Sequence, residues 1–126
     1  MGYGISLHRF VDGEAETLDE QVAREALASH AVNADRDAEE MLIRAADGGE
    51  AEVNVSADGI IVHRFPSGGI VDIVAELADR LGAAIVLPDS VLVSGEDQRA
   101  NLPDGLQAMA VVIEMTGPTL KRALGE

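Results

Sequence analysis

Two stretches of the chain, Ile5-Ser-Leu-His8-Arg9-Phe10 and Ile60-Ile-Val-His63-Arg64-Phe65, end in the same tripeptide. Imidazole is the side chain that exchanges protons near neutral pH and the commonest protein ligand for metals, so paired histidines are the first place to look for chemistry. Side chains alternate across a strand. If the two stretches are neighbouring strands, Ser6, His8, Phe10, Ile61, His63 and Phe65 share one sheet face, with Leu7 and Val62 on the other. Phenylalanines left in water form an apolar patch, so that face could receive a ligand, a partner or a second copy of the chain. Zinc needs three or four protein ligands. No third ligand is placed by spacing beside His8 and His63, and no metal site is expected.

Other residue groups carry weaker chemistry. Ser67-Gly68-Gly69 precedes a helical pattern, where free amides and the helix dipole can hold an anion, but Asp72 already supplies negative charge in that first turn and no lysine follows the glycines. Asn33, Asp35, Asp37 and Glu39 alternate as the opening of a calcium loop does, yet Ala38 stands where the turn requires glycine and Arg44 where the bidentate glutamate belongs. His30, near the end of the first helical pattern, is placed to interact with the negative end of that helix. Adjacent acids such as Glu39 with Glu40 and Glu96 with Asp97 point apart on a helix or strand, so they supply no carboxylate dyad. No serine sits in a nucleophile elbow, and no cofactor motif occurs. Catalysis has no sequence support.

The elements that must position these residues follow from periodicity. Ile5 to Val11 alternates and stops at Asp12-Gly13, the pattern of a half-buried strand and a turn. Thr17 and Glu20 have capping-box spacing and open a helix to about Val32. Met41 to Ala46 reads as a strand ending at Asp47-Gly48, although Ala38, Met41, Leu42 and Ala45 also fit a helical face. Ala51, Val53 and Val55 alternate in the next strand, Asp58-Gly59 turns the chain, and 60–65 completes a meander. Ile70, Ile73, Val74, Leu77, Ala78 and Leu81 recur at helical spacing up to Gly82.

Ala83 to Leu87 forms a further strand that Val91 to Val93 extends or pairs with, and the strand, helix, strand order from 60 to 87 favours a right-handed parallel crossover. Ser94 to Gly105 reads as a polar loop. Met109, Val111, Ile113 and Met115 alternate in a late strand, and Gly117-Pro118 introduces a short helix. The expected architecture is a single α+β domain over 1–126, a two-layer sandwich with a mixed, mainly antiparallel sheet and helices packed on one face.

Composition bounds the function. The 126 residues are 47% hydrophobic, which argues against wholesale disorder despite a formal charge of −14. Zero cysteines exclude a disulfide framework and thiolate zinc. With no signal-peptide pattern in the opening residues and no membrane-spanning apolar run, a cytoplasmic location is expected. Basic residues are nearly all arginine and alanine is abundant, as in high-GC bacterial genomes.

Residues 12–52 hold thirteen acidic and three basic side chains, so one part of the surface is strongly negative. That field repels phosphate backbones and anionic lipids and speeds encounter with basic proteins, and only Tyr3, Phe10 and Phe65 are aromatic. Neither nucleic acid nor membrane is an expected partner. The sequence therefore predicts a small, acidic, non-catalytic interaction module without a cofactor, which engages a protein partner or its own copy. One version is an inhibitor of a basic toxin or nuclease, its carboxylates occupying the surface that would otherwise hold phosphates. The alternative is a small-molecule-binding protein or minor enzyme using His8 and His63 with the loops at 66–69 and 94–105.

Overall fold

Alternation along each strand dictates which side chains are dry, and the computed structural model, which describes residues 5–32, 40–63, 68–87 and 90–123, follows it closely. In β1 (Ile5–Val11), Ile5 and Leu7 are buried while Ser6, His8 and Phe10 are half-buried on the other face. The same rhythm buries Met41 and Ile43 in β3 (Glu40–Arg44), Ala51, Val53 and Val55 in β4 (Glu50–Ser56), and Ile60 and Val62 in β5 (Gly59–Val62). These three strands form the expected antiparallel meander. The helical alternative for 41–46 is thereby excluded.

Helix α1 (Glu20–Ala28) and helix α2 (Gly69–Leu81) lay their apolar stripes on that dry face, and Leu120 of α5 (Gly117–Ala123) joins the same core. In α2 the stripe predicted from spacing is buried throughout, and the helix stops at Gly82, whose φ of 61° is the left-handed conformation that glycine adopts without strain. The cap of α1 differs from expectation. Asp19, not Thr17, accepts from the Val22 amide at 3.2 Å, and the helix ends at Ala28, well before Val32. A further short strand, β2 (Glu14–Glu16), pairs with the end of β1 and has no apolar face by which it could have been read.

The remaining strands are β6 (Ala84–Val86), β7 (Val91–Val93) and β8 (Ala110–Val112). The sheet order is β3-β4-β5-β1-β6-β7-β8, antiparallel throughout except for the β7–β8 pair. This is a mixed, mainly antiparallel sheet with helices packed on it, an α+β arrangement. The crossover from β5 through α2 to β6 is split: the two strands run parallel, but β1 lies between them and pairs with both.

Residues 94–105, which read as a loop, depart most from the sequence reading. Instead of a polar loop they fold into α3 (Glu96–Ala100) and α4 (Asp104–Gln107). Leu102 is buried against Ala84, Val91 and Val93, with Phe10, Leu106 and Met109 packed around them. Since Leu7, Ile85 and Leu92 point into the main core, alternation puts this second, smaller cluster on the opposite sheet face. Among the described residues, the second face is covered over β6 to β8.

Candidate functional site

The residues leading into the two tripeptides pair as neighbouring strands, β1 with β5, and the register Ser6↔Ile61 with strand alternation puts Ser6, His8, Ile61 and His63 on the same face, away from Leu7 and Val62. The pairing is antiparallel, so His8 lies two residues beyond one end of that pair and His63 two residues beyond the other. The two histidine positions are therefore offset by about 14 Å along the strands, too far for both to act on one small substrate.

Each histidine has its own partner. His8 Nδ1 donates to the Asp58 carbonyl at 3.2 Å, and its ring lies across Gly59, where a Cβ would come 2.6 Å from His8 Cε1. Glycine at 59 is what lets the ring lie down. His63 Nε2 donates to Asn54 Oδ1 at 2.5 Å. Phe10 does not stand in water: it packs against the second cluster, its ring 6.2 Å from that of His8. Phe65 and Ser67 lie outside the described residues, as does the acidic alternation from Asn33 to Glu39.

Over β3, β4, β5 and the first part of β1, no described element covers the second face. Ile61 is 47% exposed there, flanked by Ser6 and Asn54. Around it stand Leu42, His63 and the exposed Glu40, Glu50 and Glu52, with Arg44 held on Glu50 by two hydrogen bonds of 2.8 and 2.5 Å. The result is an uncovered sheet face, apolar at Ile61 and acidic on the β3–β4 side.

The glycines at the start of α2 serve packing. Asp47, in the β3–β4 turn, accepts from the Gly69 amide at 2.8 Å through Oδ2 and from the Gly49 amide at 3.0 Å through Oδ1. The Gly69 amide, and then the Gly49 amide, hold the Asp47 carboxyl below the ordinary carboxylate range, a hydrogen bond to the charged form being the dominant cause. An internal carboxylate thus occupies the helix start that the glycine pair offers to an anion. A Cβ on Gly69 would lie 2.5 Å from that of Ala45, so the turn can approach only because that side chain is missing. Gly68, with φ of 115°, turns the chain into the helix.

His30 follows α1 and lies in a shallow hollow with Val32 and Arg44. Its carbonyl accepts from the Arg44 amide at 2.8 Å, and the Val32 amide donates to the Leu42 carbonyl at 2.8 Å, so 30–32 covers the outer side of β3. Among the described residues no group of three histidine, cysteine, aspartate or glutamate side chains could hold a metal, and no helix is long and apolar enough to cross a membrane. Comparison with protein-family models, curated proteins and solved structures finds no match to this chain.

Proposed function

We propose that this chain is a protein-interaction module whose uncovered half-sheet, centred on Ile61, binds a basic partner. The observation that carries the reading is the chemistry of that half-face: Ile61 exposed at its middle and Glu40, Glu50 and Glu52 along one side. Protein interfaces combine an apolar centre with a polar rim, and complementary charge speeds and orients the encounter. Small-molecule sites are concave. The offset of about 14 Å between the two histidine positions counts against the alternative, a site built on both His8 and His63. An inhibitor of a basic enzyme is the most specific form of the proposal.

Affinity capture from source lysate tests it by comparing two baits, the unaltered chain and an Ile61→Arg/Glu52→Arg variant. A basic protein retained by the first, released by salt and missing from the second supports the reading. Recovery of the same proteins on both baits, or of none on the first, overturns it.

A further inference from the structure

The two edges of the sheet are built differently. At one edge, β3 is flanked by Glu40 and Arg44 and its outer side is bonded by 30–32. Charges and a covering segment are the usual means of blunting an edge. At the other edge, β8 and its continuation read Ala110-Val111-Val112-Ile113, with no charge, proline or glycine, and Val111 and Val112 are 47% and 41% exposed. No described residue pairs with its outer side.

The hydrogen-bonding groups of that edge can be assigned. The Val91 amide donates to the Met109 carbonyl and the Ile113 amide to the Val93 carbonyl, so residues 109, 111 and 113 bond inward to β7. In a parallel ladder alternate residues face opposite neighbours. Ala110 and Val112 therefore direct their amides and carbonyls outward.

We infer that β8 is a self-association edge that pairs antiparallel with β8 of a second copy of this chain, Val111 opposite Val111. In that register Ala110 of each copy exchanges both hydrogen bonds with Val112 of the other, so every outward group of the strand is satisfied. Val111 meets its counterpart as the closer, non-hydrogen-bonded pair, and cross-strand β-branched pairs are favourable. Charge permits the approach. Glu114 falls opposite Ala108 of the other copy, and on α3, which lies near β8, Glu96 is paired with Arg99 at 3.6 Å. The exposed Glu40 on β3 and Glu50 and Glu52 on β4 stand at the far side, six and five strand spacings or about 24–29 Å away, beyond the screening length of physiological salt. An uncharged strand has nothing with which to select a basic peptide. What it matches is itself.

The absence of cysteine makes a clean test. Cα atoms of a non-hydrogen-bonded antiparallel pair are about 4.5 Å apart, within disulfide range. In the full chain, Val111→Cys should give a disulfide-linked dimer under mild oxidation much faster than Ile61→Cys, an equally exposed site on the uncovered face. Sedimentation equilibrium up to about 1 mM should show the unaltered chain associating and a Val111→Lys variant, folded by circular dichroism, remaining monomeric. Equal cross-linking of the two cysteine variants, or association that persists in Val111→Lys, overturns the inference. Neither result depends on a basic partner or on Ile61.

Discussion

Asp47 shows how a side chain can decide a turn and a helix start together. Its carboxylate accepts from Gly69 and Gly49, which ties the β3–β4 turn to α2, and both bonds favour the charged form. Because the folded pKa lies below the ordinary value of about 4, the stabilisation is complete above that value and is lost as pH falls through the lowered one. Asp47→Asn should therefore melt at a lower temperature than the unaltered chain near pH 7, with the gap closing as the solution is acidified. Thermal melts across the acid range check this, and a gap independent of pH would assign the effect to geometry alone. Gly69 could be read from the sequence as a strand-to-helix hinge, whereas Asp47, 22 residues earlier, could not be seen as its partner.

At the scale of elements, the polar-looking stretch 94–109 folds because two leucines anchor it. Leu102 is 1% exposed over β6 and β7, and Leu106 packs beside it. Leu102→Ala should cost about 2–5 kcal/mol, the range for removing a buried leucine. The loss should be local. Amide exchange should accelerate across 94–109 while α2, which belongs to the other cluster, keeps its protection; uniform acceleration would show that the two clusters unfold as one. The same anatomy explains what the sequence could reveal. In α2, Ile70, Ile73, Val74, Leu77, Ala78 and Leu81 repeat over several turns and leave no ambiguity. Helices of five and four residues are too short to display a period, and Glu-Ala-Glu in β2 has none. Alternation identified the shared face of Ser6, His8, Ile61 and His63, but the direction of pairing is not written in either strand, and direction is what separates the imidazoles.

For the molecule as a whole, a formal charge of −14 opposes compaction. Raising salt from about 10 mM to about 0.5 M should raise the melting temperature by screening that repulsion, while it weakens capture of a basic partner on the uncovered half-sheet. Calorimetry and binding read the two slopes separately, and slopes of the same sign would remove charge as the basis of the proposed contact. The proposed partner surface and the inferred self-pairing edge lie on distant parts of the sheet, Ile61 on β5 and β8 at the edge.

The central position of β1 also governs how the fold is made. Leu7 pairs with Ile60 on one side and Ile85 on the other, so β1 waits for the later of its two neighbours. Until Val86 emerges, a nascent chain holds a middle strand with a bare flank, and closing such distant pairs is slow. The sheet therefore cannot close around β1 before β6 has been made, and Ser6 and Leu7 are sealed in on both sides only at that step.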